Sequence, residues 1–511
     1  MSMVNVATML SRTARLHPDR PALRYGERRM TYAELDGAVA RFASGLRTTG
    51  LEPGDRVAVF AKNCPECVIA MYGAFAAGMT IVPVNAKLAA PELAVILEDS
   101  GARALVHDHA SAALVDAAGT PGLDLVLETG AAFDAFLAGG DAGQAPAEVT
   151  DDAVAWLFYT SGTTGRPKGA ELTHRNLTAM TWLELADVCD FHADDVVLHV
   201  APLSHGGGLY LLGAIARGAE NLIYDRSSFD AVDVMRLIER EAVTVIAFLA
   251  PTMIVMLLDA DDEAGADTSS LRRAVYGGAP IHLEHARRMV QRFGPAFVQI
   301  YGQGESPMTI TYLDTAAPGT DEPDLLIAAG VAHAGVEVAV LDADDRPLPV
   351  GAEGEVCVRG DTVMRGYRNN PEATAAALRG GWLHTGDIGR FDDRGRLFLL
   401  DRSKDTIISG GTNIYPREVE EVLVQHDAVD EVVVFGEPDE LWGESVVAAV
   451  VSPAGDRPSE DELIALCRSR LASFKKPKRI VFVDALPKNA YGKILRREVR
   501  DQLTGGEGAG T

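Results

Sequence analysis

The chain has 511 residues, 47 of them Lys or Arg against 73 Asp or Glu, and a formal net charge of −26. That length implies two or more domains, and a composition 47% hydrophobic and 23% charged is that of a soluble globular protein with ample core. So acidic a surface argues against nucleic acid or an anionic membrane as the main partner, and any anionic ligand would need a locally positive site.

The first segment, "MSMVNVATMLSRTARLHPDR", lacks the apolar core of a signal peptide. Cys64-Pro-Glu-Cys67 is formally a C-x-x-C. Structural zinc would want a second pair, and none exists. The pair reads either as a redox dithiol or as the opening of a helix, with Asn63 near the cap and Pro65 in the first turn. Nothing among the five cysteines suggests a disulfide framework, which fits a reducing cytoplasm. Two uncharged stretches, Cys67 to Ala86 and Ala242 to Leu258, are long enough to be misread as membrane spans. Gly73, Gly78 and Pro83 divide the first into a buried helix and a strand, "TIVPV", and Pro251 divides the second. Both read as core, so no membrane span is expected.

The stretch "FYTSGTTGRPKGAELTH", Phe158 to His174, sets Ser161, Thr163 and Thr164 among Gly162, Gly165 and Gly169 and adds Lys168. Glycines let backbone N–H groups turn toward an anion, hydroxyls add donors, and lysine adds a mobile positive charge. Alone it could equally be a solvent-exposed turn. However, "VAWLFYT" before it reads as a buried strand, and "THRNLTAM" after it as a helix start with Thr173 as N-cap. Strand, glycine loop, then helix is a phosphate-binding context. It is not the Walker loop, because Lys168 follows Pro167 rather than glycine.

Strand-like and helical runs alternate to about residue 310, as in "RVAVFA" then "CPECVIAMYGAF", implying doubly wound α/β layers. From about Val331 short strands with turn signals suggest a small barrel or meander. Beyond "GRLFLLDRSKDTIISGG" come a helix ("YPREVEEVLVQH"), two strands ("VDEVVVFGE", "SVVAAVVSP"), a helix ("SEDELIALCRSRL") and a strand ("RIVFVD"), a compact α+β unit. The tail "TGGEGAGT" reads as disordered, and no internal repeat is evident.

Polar residues recur where a core would not need them: Gln299, Tyr301 and Glu305 in "QIYGQGESP", Asp387 in "WLHTGDIG", Asp401, Arg402 and Lys404 in "LDRSKDTIISGGTNIYPREVE", and Lys493 in "PKNAYGKILRR". Singly, each is an ordinary turn former or surface charge. In this joint order, with "YTSGTTGRPKGAELTH", the sequence resembles the adenylate-forming superfamily of acyl-CoA synthetases, aryl-CoA ligases, luciferases and peptide-synthetase adenylation domains. The resemblance runs from "HPDRPAL" to "YGKILRR".

It implies an α/β fold. A large N-terminal domain of doubly wound sheets plus a small barrel, residues 1–400, would precede a small mobile α+β domain, residues 401–511, hinged at Asp401. It implies an enzyme that joins a carboxylic acid to the α-phosphate of ATP with Mg²⁺, then passes the acyl group to a thiol, CoA in the leading reading. Thr160, Ser161, Gly162, Thr163, Thr164, Gly165 and Lys168 would cradle pyrophosphate. Gly277, Gly278, Ala279 and Pro280 would line adenine and the acyl carboxylate. Tyr301, flanked by Gly302 and Gln303, would stack on adenine, and Gln299 could bind its exocyclic amine. Glu305 would hold Mg²⁺. Asp387 would accept the ribose hydroxyls, and Arg402 would donate to ribose or phosphate. Lys493 would contact the carboxylate and α-phosphate during adenylation. His205 would stand between acyl pocket and thiol tunnel, and Ser409 to Asn413, with Gly410 and Gly411, would face the pantetheine.

One departure stands out. The family pattern is Tyr-Gly-x-Thr-Glu, and here Gly304 occupies the threonine position. A lost neutral hydrogen bond is worth roughly 0.5–1.5 kcal/mol, enough to alter rate but not the class of reaction; a main-chain N–H or water could replace it. In "APLSHGGGLYLLGAIARG" no acidic residue awaits a substrate amine, so an acid without an α-amine is expected, fatty acyl in preference to aryl. Gly206, Gly207 and Gly208 either thin the pocket wall or serve a tightly packed helix. No insertion of the kind that marks carrier-loading acyl-AMP ligases is evident between Glu305 and Asp401, which favours CoA. Lys475, Lys476, Lys478 and Arg479 could meet the phosphates of CoA or an acidic carrier protein, or be solvated surface. An acyl carrier protein as acceptor and a non-catalytic nucleotide-binding regulator stay as alternatives, and a homo-oligomer is compatible with the sequence.

Overall fold

The computed structural model describes residues 5–119, 122–160, 167–316, 323–402, 405–409, 412–439, 442–453, 457–488 and 494–504, the side chains of 323, 324, 402 and 413 excepted. The chain divides into two compact units. Met1–Ile281, His285–Val338 and Val358–His384 form the first, and His282–Glu284, Ala339–Cys357 and Thr385–Thr511 the second.

The first unit is built on two large sheets. In one, the parallel strands Val154–Thr160, Thr80–Pro83, Arg56–Phe60, Ala104–His107 and Leu125–Glu128 lie side by side in that order, and Lys168–Thr173 and Gly366–Tyr367 add an antiparallel edge. In the other, Phe297–Gln303, Arg273–Gly277, Val245–Leu249, Val196–His199, Glu220–Ile223 and Pro21–Tyr25 run parallel between antiparallel edges. Parallel strands buried on both faces are near-continuous apolar runs, as "RVAVF" and "VIAFL" are.

The uncharged stretch from Cys67 starts inside a helix, Pro65–Ala77, that is buried along its whole length and packed against strands of both sheets. Its lack of a polar face follows from that position. Pro65 stands in its first turn, and Gly78 ends it in the left-handed conformation at φ 75°. Cys64 rather than Asn63 is the N-cap residue, and its Sγ lies 3.4 Å from that of Cys67. Asn63 is used otherwise. Its amide donates to the Ala201 carbonyl at 2.9 Å and its Oδ1 accepts from Leu203 N at 2.8 Å, pinning the loop before His205. Val245–Leu249 and Pro251–Asp259 divide the second stretch as a strand and a helix. Among the described residues no helix is long and apolar enough to cross a membrane.

Strands Glu337–Leu341, Gly354–Arg359, Leu383–Phe391 and Leu397–Arg402, most of whose residues belong to the second unit, form a sheet in chain order, the meander of the two sequence alternatives. A five-stranded sheet comes next, centred on Gly443–Val451. Its alternation builds two cores. Val446, Ala448 and Val450 face Val419, Leu423, Leu463 and Cys467, while Val447 and Ala449 face Leu486 and Val499. Helix Glu460–Arg470 is capped by Ser459, whose hydroxyl accepts from Glu462 N.

Candidate active site

Strand Val154–Thr160 is buried from Ala155 to Phe158, and its last residue, Thr160, lies opposite Lys168. Ser161, Gly162, Thr163, Thr164 and Gly165 lie outside the described residues. The expected order of strand, glycine loop and helix is corrected on the far side of the loop. Lys168–Thr173 is a strand, and the helix His174–Leu183 begins only after it. The six residues pair with Val154–Thr160 on one side and Gly366–Tyr367 on the other, and two ladders outweigh a local helix start. Thr173 is the N-cap as expected, accepting from Asn176 N at 3.2 Å. The described residues on either side of the glycine loop are therefore two antiparallel strands.

Glu305 follows strand Phe297–Gln303 and is 9% exposed. Its Oε1 accepts from the phenol of Tyr367 at 2.6 Å and from Thr160 Oγ1 at 3.3 Å. Lys168 Nζ sits 5.1 Å from the centre of the Tyr367 ring. Three of the sequence candidates, Thr160, Lys168 and Glu305, thus meet around a fourth residue that sequence reasoning missed. Tyr367 had only one signal, an aromatic set among polar residues in "MRGYRNNPEAT". One carboxylate with neighbouring hydroxyls is an all-oxygen donor set, which fits a hard divalent cation such as Mg²⁺.

Gly304 has a packing reason. A Cβ there would lie 2.5 Å from Thr160 Cγ2 and 2.6 Å from Phe158 Cδ1. The space a threonine side chain would occupy is filled by those two residues, and the same Phe158 ring lies 4.7 Å, centre to centre, from the imidazole of His205.

Gln299 is buried, and its Oε1, the atom that would meet an exocyclic amine, accepts from the phenol of Tyr276 at 3.1 Å, which leaves one lone pair. Tyr301, Gly302 and Gln303 complete the same strand. Gly278, Ala279 and Pro280 are exposed just past Arg273–Gly277, Gly278 at φ 80°. These residues stand at the carboxyl ends of parallel strands, the usual ligand side of such sheets.

His205 precedes helix Gly206–Arg217 on that side. Burial pushes its imidazole down to about 4, so the ring is uncharged at neutral pH. Leu209, Tyr210, Leu211 and Leu212 are all buried, and a Cβ on Gly208 would meet the Leu203 carbonyl at 2.0 Å. Both readings of the glycine run hold in part. Gly208 serves tight packing, and Gly206 has open space where a side chain would be.

The second unit carries the remaining candidates. Asp387 is buried on strand Leu383–Phe391, directly opposite Arg402. Asp401 Oδ1 accepts from Arg496 Nη1 at 3.1 Å, and its Oδ2 accepts from Arg417 N at 3.1 Å. Arg496 also reaches Glu420 at 2.8 Å and Asp405 at 3.4 Å. The Arg402 side chain, Lys404, Gly410, Gly411 and Lys493 lie outside the described residues. Lys493 is flanked by described anchors, the bridge of Ile494 to Lys488 and the Arg496 ion pairs. The basic cluster is largely occupied: Lys475 pairs with Glu418, Lys478 with Asp439 at 2.7 Å and Arg479 with Glu437 at 2.6 Å. That favours the surface alternative for it.

Residues 10–368 match the AMP-binding enzyme family, and residues 418–493 match the AMP-binding enzyme C-terminal domain. The chain is 41% identical over 493 residues to a feruloyl-CoA synthase of Amycolatopsis sp, covering 96% of this chain and 97% of that protein. It is 38% identical to the fatty acid–[acyl-carrier-protein] ligase ScoC of Streptomyces coeruleorubidus, covering 96% and 95%. Among solved structures, ATP-bound MatB from Rhodopseudomonas palustris superposes with a TM-score of 0.88 at 30% identity, covering 98% of this chain and 99% of that one.

Proposed function

The chain belongs to the AMP-binding enzymes, the adenylate-forming superfamily that includes the acyl-CoA synthetases, and from that premise we propose that it joins a hydrophobic carboxylic acid to the thiol of CoA in two ATP-driven half-reactions. In the first, a carboxylate oxygen attacks the α-phosphorus of ATP and pyrophosphate leaves. In the second, the thiol sulfur attacks the acyl carbon of the mixed anhydride, its proton passes to solvent, and AMP leaves. The observation that carries the reading is the match of both family parts along one chain, with Glu305 in the first and Lys493 in the second.

The loop from Thr160 to Lys168 would hold the departing pyrophosphate, with the Lys168 ammonium against its charge. Glu305, with the hydroxyls of Thr160 and Tyr367 beside it, would hold Mg²⁺, whose charge neutralises phosphate oxygens when bound. Tyr301 and Gln299 would receive adenine, Asp387 and Arg402 the ribose, and Gly278 to Pro280 the acyl carboxylate. Lys493 would meet the carboxylate and α-phosphate, in a domain beginning at Asp401 that would withdraw it for the second step. His205, uncharged, would stand where acyl group and thiol meet, with Gly410 and Gly411 toward the pantetheine.

For the acid, the stacked pair Tyr210 and Phe248, ring centres 5.9 Å apart, and the likeness to a feruloyl-CoA synthase support an aryl acid over the fatty chain preferred from sequence. For the acceptor, the likeness to a carrier-protein ligase supports a second reading, in which a holo-carrier protein takes the acyl group. Incubating the protein with Mg-ATP and a panel of aryl and fatty acids, with CoA or a holo-carrier protein, separates these by mass spectrometry. Acyl-CoA and AMP are expected when acid and CoA are both present. Acyl-AMP that persists with CoA and is discharged by the carrier protein would move the acceptor, and neither product with any acid would refute the ligase reading. Lys493→Ala should abolish acid-dependent pyrophosphate exchange while ATP still binds.

A further inference from the structure

Helix Pro65–Ala77 opens on a pair of thiols. Cys64 holds the N-cap position without capping it: its side chain accepts nothing from the first-turn N–H groups, as Ser, Thr, Asp or Asn would there. Its Sγ lies instead 3.4 Å from Sγ of Cys67, one turn on. Two sulfurs in such contact close to a bond of about 2 Å by small side-chain rotations, with the helix left in place. Among the five cysteines Cys64 alone is partly exposed, and Cys67, Cys189, Cys357 and Cys467 are buried. An oxidant in solution therefore reaches Cys64 first, and Cys67 stands in contact behind it. The pair also sits at the crossover of a β–α–β unit, Arg56–Phe60, Pro65–Ala77 and Thr80–Pro83, a setting in which C-x-x-C serves thiol–disulfide chemistry.

The same few residues hold the loop before His205. The Cys67 thiol donates to the Lys62 carbonyl at 3.3 Å, and Lys62 N donates to the Asp108 carboxylate at 2.7 Å. Asn63, between Lys62 and Cys64, grips Ala201 O and Leu203 N. Cys67 also lines a small cavity with Leu203 and Ser204. A bond between the two sulfurs takes away the Cys67 S–H, so the Lys62 carbonyl loses that donor. It also draws the Cys64 side chain onto the helix. Both chain neighbours of Asn63 are thereby changed.

We propose that Cys64 and Cys67 are a redox-active dithiol, closed reversibly to a disulfide by small-molecule disulfides, and that closure loosens the hold of Asn63 on the loop before His205. The Cys64 thiolate attacks one sulfur of the small disulfide and expels a thiolate. The Cys67 thiolate then attacks Cys64 Sγ and expels the second. The two cysteines lose two electrons and two protons, and the small disulfide becomes two thiols. The hydrogen bond shared with Cys67, together with burial, holds the Cys64 thiol well above its ordinary range. The thiolate is therefore scarce at neutral pH and exchange is slow, as suits a sensor that follows its surroundings rather than a rapid oxidoreductase. The effect on activity rests on the acid-ligase reading, and the thiol chemistry does not.

The full chain is incubated with oxidised glutathione and freed of small molecules. One readout is intact mass, with the remaining thiols alkylated in denaturant. The other is acid-dependent pyrophosphate exchange, which needs no CoA thiol. The parent should lose two hydrogens and keep three alkylatable thiols of its five, and dithiothreitol should restore all five. Cys64→Ser should gain neither disulfide nor adduct, and Cys67→Ser should stop at a glutathione adduct on Cys64. Exchange by the oxidised parent should fall about fivefold, as for the loss of one hydrogen bond, and recover on reduction. Reduced Asn63→Ala should show a similar loss, with no further fall on oxidation. A parent that keeps five thiols, a parent that stops at the adduct, or a disulfide that still closes in Cys64→Ser would each overturn the dithiol. Equal exchange by oxidised and reduced parent would overturn the link to Asn63. If no acid supports exchange in the reduced parent, the ligase reading fails on its own, and mass and thiol count still judge the pair. Hydrogen exchange over residues 201–205, faster in the oxidised parent, then judges the link, and equal protection overturns it.

Discussion

The Tyr367 phenol donates to Glu305 Oε1 at 2.6 Å while the face of the same ring meets the Lys168 ammonium. One side chain thus contacts both charged groups proposed to handle the phosphates. Tyr367→Phe keeps the ring over Lys168 and removes only the donor to the carboxylate. A hydrogen bond to a charged group is worth roughly 1.5–3 kcal/mol. The variant should therefore slow acid-dependent pyrophosphate exchange by about tenfold to a hundredfold, and its Mg²⁺ optimum should move. Exchange rates and Mg²⁺ dependence equal to the parent would rule out this role for Tyr367.

Gly304 makes a second relation testable. Thr160 and Phe158 fill the volume that a side chain at 304 would need. Restoring the family's residue with Gly304→Thr should therefore damage the protein rather than improve it. Overpacking of this kind costs about 1–3 kcal/mol, and here it displaces Thr160 from Glu305. Combining it with Phe158→Ala should recover a large part of both thermal stability and pyrophosphate exchange. A double variant no better than Gly304→Thr alone would mean that the two positions do not share this space.

Much of the fold and part of the site are legible in the sequence, because apolar runs and punctuation are local signals. Pro65, Gly78 and Pro251 mark real element ends, and Thr173 is a real cap. The order after the glycine loop is misread because "GAELT" gains its strand character from two neighbours distant in sequence, which no local pattern records. Tyr367 and Phe248 escape notice for the same reason: their partners lie far away along the chain. Glu184 is invisible because an acid in a helical run ordinarily faces solvent. It continues the buried face of helix His174–Leu183, after Leu177, Met180 and Thr181, and a Cβ on Gly213 would come 2.6 Å from its Oε2.

Arg496 gathers Asp401, Glu420 and Asp405 at the start of helix Arg496–Thr504, three residues past Lys493. Glu420 is pushed up by burial and held back by this guanidinium, whose own value Glu420 and Asp401 raise. Arg496→Met would leave buried carboxylates without their counter-charge, at a cost of about 3–5 kcal/mol. Calorimetry should show the loss, and adenylation should fall with it because the segment bearing Lys493 loses its anchor. Adding Glu420→Gln should restore part of the stability. If Arg496→Met melts like the parent, the cluster does not anchor this segment.

Buried titrating groups set the pH range of stability. His174 and His199, 0% and 1% exposed, are pushed down to about 4 by burial. His174 Nδ1 accepts from Val6 N at 3.2 Å, which requires the unprotonated nitrogen. The unfolded chain takes up protons at both from about pH 6.5 downward, whereas the fold takes them up only near 4. Their contribution is thus complete above about 6.5 and is lost as pH falls toward 4, at most about 3 kcal/mol for each. Glu184 has the opposite sign. Its folded value is raised, so its contribution is complete below the ordinary carboxylate range and is lost as pH rises through the folded value. Urea midpoints between pH 4 and 8 should therefore fall on both sides of an optimum. His199→Gln, which keeps a donor for Asn221, should flatten the acid limb, and Glu184→Gln the alkaline one. An alkaline limb as steep in Glu184→Gln as in the parent would show that this carboxyl keeps no proton in the fold.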